Sequence, residues 1–283
     1  MATRREIFQT ICRSATKCYP EEEARQIAEM ILEHHGVSRN NLFVEPNATL
    51  DIPNLEHIIE QIEAWRPVQY IIGQGEFMDM SLEVAEGVLI PRPETEELIY
   101  WIASEHKQDI DILDIGTGSG CIAIALARAI KSSRVWAMDI STEALTIARR
   151  NAARYAPEVQ LVEGDALTDF STHFDNKFDI IVSNPPYIPA SDRALMRPNV
   201  TEYEPHRALF VADDDPLIFY RAIARTARKM LKSEGRLYFE IYELLSEEMR
   251  QMLSAEGYTD IVVREDFRGK QRMVCARVSS TTR

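Results

Sequence analysis

From about residue 109 onward, short apolar runs typical of buried strands alternate with longer runs that have apolar residues at helical spacing. The strand candidates are residues 110–115, 134–139, 158–163, 178–183, 235–241, 258–264 and 272–278, and the helix candidates are 119–131, 141–155, 216–233 and 245–256. This alternation predicts an α/β fold, a mainly parallel sheet with helices on both faces. Only a short turn separates the last two strands, so we expect them to form an antiparallel hairpin.

The first 70 residues read as helices alone. Apolar residues recur at helical spacing between residues 24 and 32, and a further helix is expected from about Asn54 to Trp65. Glycines and short alternating runs then predict a β-hairpin. We therefore expect a helical domain over 1–70, a hairpin linker over 71–95 and an α/β domain over 96–283, with a frayed terminus at 279–283.

Composition and charge bound the possible functions. The net charge is −13, which argues against a protein that grips nucleic acid through its phosphates. No apolar run approaches the roughly 18 residues that a membrane span needs. The four cysteines are scattered without a CxxC pair, and the six histidines show no paired spacing. We therefore expect a cytoplasmic protein with no metal site.

A glycine loop follows the first predicted strand of the sheet, at Gly116-Thr117-Gly118-Ser119-Gly120. Glycines allow a tight turn and let a ligand approach the main chain, although such a loop can also be a simple turn between strand and helix. Asp139 ends the next strand, where a carboxylate can accept both hydroxyl hydrogens of a ribose. Asp165 ends the third strand, where an adenine amino group could be met.

These features indicate an adenosine-containing ligand. The spacing is GxGxG rather than the GxGxxG of dinucleotide sites, and no Walker lysine follows it to bind ATP phosphates. The pattern suits a nucleoside without phosphates, which points to S-adenosylmethionine.

Asn184-Pro185-Pro186-Tyr187 follows the fourth predicted strand, beside the first at the carboxyl edge of the sheet. An amide nitrogen is a poor nucleophile because its lone pair is delocalised. Two acceptors that hold its hydrogens, the Asn184 side-chain oxygen and the Pro185 carbonyl, would turn that lone pair toward a methyl donor. Prolines keep the loop stiff and Tyr187 can stack on a flat amide or base. The alternative is a Pro-Pro stop after a buried strand.

With these motifs the chain resembles the HemK/PrmC family of protein-(glutamine) methyltransferases that act on peptide chain release factors. The resemblance covers nearly the whole length. The blocks that carry it are Leu89–Glu96, Asp114–Gly120, Asn184–Ile188, Glu204-Pro205 with Ala208-Leu209, and Asp266 with Gly269 and Arg272. Asn-Pro-Pro-Tyr alone is shared with adenine amino-methyltransferases of DNA, whereas the first block together with the helical domain is more specific.

The resemblance implies a seven-stranded, Rossmann-like class I methyltransferase domain that uses S-adenosylmethionine and releases S-adenosylhomocysteine. Gly116 to Gly120 would line the methionine part, Asp139 would hold the ribose, and Asp165-Ala166 would lie by the adenine. Asn184 to Tyr187 would bind the glutamine of the Gly-Gly-Gln motif in bacterial class 1 release factors, and Asn184 would also contact the cofactor. Methylation of this glutamine would tune translation termination. The helical domain would recognise this substrate, and a monomer is expected.

Two positions depart from the family's pattern: Ala166 replaces the bulky aromatic of some members, and residues 212–216 replace a glycine-containing turn. Three other activities stay open on the motifs alone: methylation of a ribosomal-protein glutamine, methylation of adenine in DNA or RNA, and binding without catalysis. Arg92 is expected either to contact substrate or to form a salt bridge at a helix start. Glu204 is expected to anchor a loop, and Arg272 to tie the last hairpin.

Overall fold

The computed structural model describes residues 2–278, so the terminal segment 279–283, expected to be frayed, lies outside the described residues. The chain divides into two compact units. The first consists of Met1–Gln74 with Arg197–Tyr203, and the second of Gly75–Met196 with Glu204–Arg283.

The first unit is helical, with one short strand pair. Its elements are β1 (Ala2–Thr3), α1 (Arg4–Ala15), α2 (Glu21–His34), α3 (Arg39–Val44), β2 (Thr49–Leu50), α4 (Leu55–Glu63) and α5 (Val68–Ile72). A capping box starts α1, because the Thr3 hydroxyl accepts the Glu6 N–H at 3.2 Å and the Glu6 carboxylate accepts the Thr3 N–H at 2.8 Å. Apolar residues of these helices, such as Ile11 and Ile31, form a separate core.

The sequence does not predict α5. The domain boundary expected at residue 70 falls inside this single turn, which begins after Pro67 and ends at Gly73 with a φ of 72°. A proline before the first turn and a left-handed glycine after it are ordinary helix boundaries, but five residues are too few to show a period.

Segment 197–203 clusters with the helical unit, although the sequence-based division placed it in the second domain. Arg197 Nη1 lies 2.6 Å from Oε2 of Glu23. The Tyr203 hydroxyl donates to the carbonyl oxygen of Ala64 at 2.6 Å. These contacts join residues more than a hundred positions apart, so no local pattern indicates them.

The second unit is built on a seven-stranded sheet, which confirms the predicted α/β class. A separate two-stranded sheet comes first, formed by β3 (Gln74–Phe77) and β4 (Met80–Glu83). The seven strands are β5 (Asp111–Ile115), β6 (Arg134–Asp139), β7 (Gln160–Glu163), β8 (Phe178–Ser183), β11 (Leu231–Glu240), β12 (Tyr258–Glu265) and β13 (Gln271–Val278), with β9 (Ile188–Pro189) and β10 (Phe210–Val211) pairing apart. The helices are α6 (Pro93–Glu105), α7 (Cys121–Ala129), α8 (Thr142–Tyr155), α9 (Pro198–Thr201, of the helical unit), α10 (His206–Leu209), α11 (Ile218–Met230) and α12 (Ser246–Ala255).

The strand order is β12-β13-β11-β8-β5-β6-β7, and β13 pairs antiparallel with both of its neighbours, as predicted for the last hairpin. Two apolar cores are packed from the second unit's residues. The order changes direction between β5 and β8, where Ile115 is opposite Ser183. The loops after these two strands therefore leave the same edge side by side, where open α/β sheets bind ligands.

Candidate active site

A cavity of about 450 Å³ opens at this edge of the sheet. Its walls come from the ends of β5, β6, β7 and β8 and the loops that follow them, from the segments 87–89 and 205–208, and from Phe219 and Ile223 of α11. The sequence-predicted site residues in its lining are Gly116, Gly118, Asp139, Asp165, Ala166, Asn184, Pro185 and Pro186. Thr117, Ser119, Gly120 and Tyr187 do not line it.

The three positions of the loop require glycine for different structural reasons. All have positive φ, a region that disfavours residues with a Cβ. An added Cβ on Gly116 or Gly118 would meet nothing within 4 Å, so at these two positions the main chain is open to a ligand. On Gly120, however, it would lie 3.1 Å from Cδ1 of Ile124 and 3.3 Å from Cβ of Ala148. Gly120 therefore serves the packing of α7 rather than the cavity.

Asp139 joins the end of β6 to the glycine loop. Its Oδ2 accepts the Gly118 N–H at 2.8 Å and its Oδ1 accepts the Ser141 N–H at 2.9 Å. The carboxylate is thus fixed by two main-chain donors while it lines the cavity. Each oxygen keeps a further lone pair, so both can also accept hydroxyl hydrogens from a ligand.

Asp114 lies beneath the loop and is fully buried. The Thr117 hydroxyl donates to its Oδ2 at 2.5 Å. Burial raises the pKa of Asp114 to about 7, since desolvation outweighs its hydrogen bonds with Thr117 and Ala123, and the neighbouring Asp139 charge adds to the rise. Thr117, predicted as a cofactor-binding residue, holds this acid instead of facing the cavity.

Asp165 and Ala166 form the wall that follows β7. The Oδ1 of Asp165 accepts the Leu167 N–H at 2.8 Å and so shapes its own turn. Ala166 is half-buried against the core, and its methyl group leaves more room here than an aromatic ring would.

Asn184 begins a chain of hydrogen bonds into the protein. Its Nδ2 donates to Oγ1 of Thr95 at 3.3 Å, and the Thr95 hydroxyl donates to Oε2 of Glu240 at 2.6 Å. The Tyr187 hydroxyl donates to the other oxygen of Glu240, Oε1, at 3.1 Å. One buried carboxylate therefore connects two residues of the Asn-Pro-Pro-Tyr motif.

Burial is the main cause that raises the pKa of the Glu240 carboxyl and of the Tyr187 phenol. For Glu240 the rise is opposed by the hydrogen bonds from Thr95 and Tyr187 and by the Arg272 charge. For Tyr187 the Glu240 charge raises the phenol pKa further. Tyr187 therefore stays a hydroxyl donor rather than a base.

Tyr187 is predicted to form a flat wall, and its ring stacks on a second tyrosine. The rings of Tyr187 and Tyr242 are 6.2 Å apart between centroids and 15° from parallel. The Tyr242 hydroxyl in turn donates to Oδ2 of Asp192 at 2.8 Å. The stack orders the loops after β8 and β11 beside the cavity.

Arg92 and Glu204 hold two of the cavity walls together. Arg92 Nη2 lies 2.5 Å from Oε1 of Glu204, and the Ile90 N–H donates to Oε2 of the same carboxylate at 3.2 Å. Of the two alternatives for Arg92, this contact favours the salt bridge at a helix start, since Arg92 is the N-cap position of α6. Glu204 anchors its loop, as expected.

The other residues singled out in the sequence also have structural partners. Arg272 pairs with Glu243 at 2.6 Å and with Asp266 at 3.3 Å, as expected for a residue that ties the last hairpin. In the unusual loop at 212–216, Asp213 accepts the Ser191 N–H at 2.9 Å and Asp215 pairs with Arg221 at 2.8 Å.

Sequence reasoning missed Thr95 and Glu240. Thr95 lies inside the block Leu89–Glu96, which carries the family resemblance, but the sequence assigned this threonine no role. Glu240 ends a central strand in the run Leu237-Tyr238-Phe239-Glu240-Ile241. An acid inside an apolar run at the carboxyl edge of a sheet is the signal that could have indicated it, because buried acids need partners.

Residues 2–278 contain neither a candidate metal-binding cluster nor a candidate membrane-spanning helix. No group of three or more His, Cys, Asp or Glu side chains is arranged there to hold a metal ion. Over the same residues, none of the helices is both long and apolar enough to cross a membrane.

Comparison with known proteins gives similarities along nearly the whole chain. Residues 95–197 match the methyltransferase small domain family. The chain is 39% identical over 265 residues to a release factor glutamine methyltransferase of Flavobacterium psychrophilum, covering 90% of this chain and 92% of that protein. It is 40% identical over 270 residues to the protein of the same name from Bacteroides thetaiotaomicron, covering 94% and 97%.

Among solved structures, a methyltransferase from Pyrococcus furiosus is similar with a TM-score of 0.52 and 17% identity. The match covers 80% of this chain and 98% of that one. At this identity the similarity supports the fold alone.

Proposed function

The chain belongs to the release factor glutamine methyltransferases, and we propose that it methylates the side-chain amide nitrogen of the glutamine in the Gly-Gly-Gln motif of bacterial class 1 peptide chain release factors. One observation carries the proposal: a single cavity is lined both by the glycine loop and by Asn184 and Pro185. When bound, S-adenosylmethionine supplies an electrophilic methyl group on its sulfonium and leaves as S-adenosylhomocysteine.

The residues of the cavity fit this methyl donor. Its volume of about 450 Å³ falls in the range of small-molecule sites. Gly116 and Gly118 leave the main chain accessible for the methionine part, and the fixed carboxylate of Asp139 has lone pairs for both ribose hydroxyls. Asp165 and Ala166 would lie by the adenine, and no cation is needed because the donor carries no phosphate.

Asn184 and Pro185 would prepare the acceptor. The Asn184 Oδ1 and the Pro185 carbonyl oxygen each accept one hydrogen of the glutamine amide, which turns the nitrogen lone pair toward the donor. The same two oxygens stabilise the positive charge that develops on nitrogen. Pro186 stiffens this loop and Tyr187 forms a flat surface beside it. As the nitrogen–methyl bond forms and the sulfonium–methyl bond breaks, the amide nitrogen becomes positively charged, and it then releases one proton to water. The rate comes from positioning and charge stabilisation, with no dedicated base.

We propose that the helical unit recognises the release factor. A groove within this unit, of about 930 Å³, has basic and aromatic residues in its lining, including Arg5, Arg13, Phe8 and Phe43. Phe43 and its neighbour Val44 are 86% and 74% exposed, and adjacent exposed apolar side chains are a feature of protein-binding surfaces. We further propose a monomer that acts in the cytoplasm, on protein rather than nucleic acid.

Two alternative reactions, methylation of adenine and methylation of a ribosomal-protein glutamine, also transfer a methyl group to the nitrogen of an NH2 group. The net charge of −13 argues against a nucleic acid substrate. The names of the curated relatives favour a release factor over a ribosomal protein.

The test is methyl transfer from labelled S-adenosylmethionine to a purified, unmodified bacterial release factor. A copy of the factor with the Gly-Gly-Gln glutamine changed to alanine, a mixture of ribosomal proteins and duplex DNA are assayed beside it. We expect label on the wild-type factor alone. Label on the DNA, on the alanine copy or only on ribosomal protein contradicts the proposal.

A further inference from the structure

We propose that Glu240 is a positioning residue for methyl transfer: through Thr95 its carboxylate fixes the direction in which the Asn184 amide faces, and its other oxygen holds the Tyr187 hydroxyl. The inference rests on the proposed function, because it concerns how the substrate amide is met.

The Thr95 hydroxyl gives the chain a direction. A hydroxyl has one hydrogen to donate, and Thr95 donates it to Oε2 of Glu240 at 2.6 Å. Only the lone pairs of Oγ1 then remain for Asn184. Because Oγ1 can then only accept a hydrogen from Asn184, the Asn184 atom that faces it is the donor Nδ2, at 3.3 Å.

The direction of this chain decides what Asn184 offers to a substrate. The side-chain amide is planar, and its oxygen lies on the opposite branch from its nitrogen. With Nδ2 at Thr95, Oδ1 is left to accept a hydrogen from the substrate amide. A flipped Asn184 would place two acceptors against each other at Thr95 and would present N–H groups to the N–H groups of the glutamine.

Glu240 can position Thr95 and Tyr187 together because each of its carboxylate oxygens accepts a hydrogen bond. Its side chain is almost fully buried and Thr95 is equally so, hence water does not compete for these hydrogen bonds. The two carboxylate oxygens accept one hydroxyl each, from Thr95 and from Tyr187. A buried acid is costly to keep unless its acceptors are used. Here both are used, by residues that lead to the Asn-Pro-Pro-Tyr motif.

Two matched pairs of variants test the inference. Thr95→Val keeps the shape of the side chain but removes the hydroxyl, whereas Thr95→Ser keeps it. Glu240→Met removes the acceptors, whereas Glu240→Gln retains one oxygen for Thr95. For each, kcat and KM for the release factor are measured, together with the Kd for S-adenosylmethionine, which also reports that the variant is folded.

We expect Thr95→Val and Glu240→Met to lower kcat by about tenfold or more, with cofactor affinity unchanged within a few-fold. Thr95→Ser and Glu240→Gln should keep most of the turnover. A binding measurement on the wild-type release factor and its Gly-Gly-Gln alanine copy gives a second readout. The ratio of the two affinities reports recognition of the glutamine. This ratio should move toward one in Thr95→Val and stay at the wild-type value in Thr95→Ser.

Full turnover by Thr95→Val and Glu240→Met, beside an active wild-type chain, overturns the inference and leaves the proposed function intact. Equal losses in all four variants also overturn it, because they indicate a packing role. If the wild-type chain transfers no methyl group to the release factor, the proposed function fails and the inference fails with it.

Discussion

Arg92 and Glu204 form an ion pair in which the glutamate side chain is 1% exposed and the arginine side chain 34% exposed. The pair connects the two chain segments that carry residues 87–89 and 205–208, which line the cavity. The ion pair is therefore a largely buried link between two segments of the cavity wall rather than a surface salt bridge.

Removal of the arginine is expected to destabilise the protein. Arg92→Ala leaves the buried Glu204 carboxylate with the Ile90 N–H as its one remaining donor among residues 2–278. We expect a loss of about 2 kcal/mol in the free energy of unfolding and weaker cofactor binding. Urea unfolding and titration with S-adenosylhomocysteine measure the two effects. Arg25→Ala, which breaks the exposed pair with Glu21, should cost less than about 1 kcal/mol. Equal costs for the two variants would contradict a buried link.

Asp114 should make stability depend on pH. Its pKa is raised to about 7 from an ordinary value of 3.8, so between these values the folded state keeps a proton that the unfolded state loses. The contribution of Asp114 to the free energy of unfolding therefore falls as pH rises from about 4 to about 7. Urea unfolding of the wild type and Asp114→Asn across this range isolates the effect. A constant difference between the two proteins would show that Asp114 does not titrate there.

Asp139→Ala should weaken S-adenosylmethionine binding by at least about tenfold, because it removes the acceptors proposed for the ribose and releases the Gly118 N–H. Isothermal titration gives the Kd. Asp213→Ala is the control, since that carboxylate accepts the Ser191 N–H within its own loop and is not part of the cavity lining. Unchanged affinity in Asp139→Ala would remove the ribose assignment.

Gly118→Ala separates backbone strain from occupation of the cavity. A Cβ at a φ of 56° costs about 1 kcal/mol and would also project into the ligand space. Gly36→Ala has a similar φ of 78° and open space around it, but lies in the helical unit. Both variants should lose similar stability in thermal unfolding, and only Gly118→Ala should bind S-adenosylmethionine more weakly. A similar loss of affinity in Gly36→Ala would mean that strain alone explains the effect.

Asn184→Ala should abolish methyl transfer and leave cofactor affinity within a few-fold, because the main role proposed for Asn184 is to hold the acceptor amide, while most of the donor is proposed to contact the glycine loop and Asp139. Single-turnover assays with labelled S-adenosylmethionine and equilibrium titration measure the two quantities. Turnover at the wild-type rate would contradict the proposed acceptor site.

The sheet and the cavity were predictable because their signals are local. Gly116 to Gly120 follow one strand directly and Asp139 ends the next, so a parallel topology alone brings them to one edge. Thr95 and Glu240 are 145 residues apart, and only the packed fold brings them together. Thr117 and Gly120 belong to the predicted loop, but sequence spacing does not tell whether a loop residue faces the ligand or the packing beneath it.

The helical unit consists of two segments of the chain, and the second segment, 197–203, is synthesised after β8. Domains usually fold during synthesis in order from the amino terminus. Here the unit that begins the chain is complete only when Tyr203 has left the ribosome, after more than half of the methyltransferase sheet has been made. Folding of the amino-terminal unit is therefore expected to finish late, and a stalled chain that ends before residue 197 should carry that unit without its last contacts to Glu23 and Ala64.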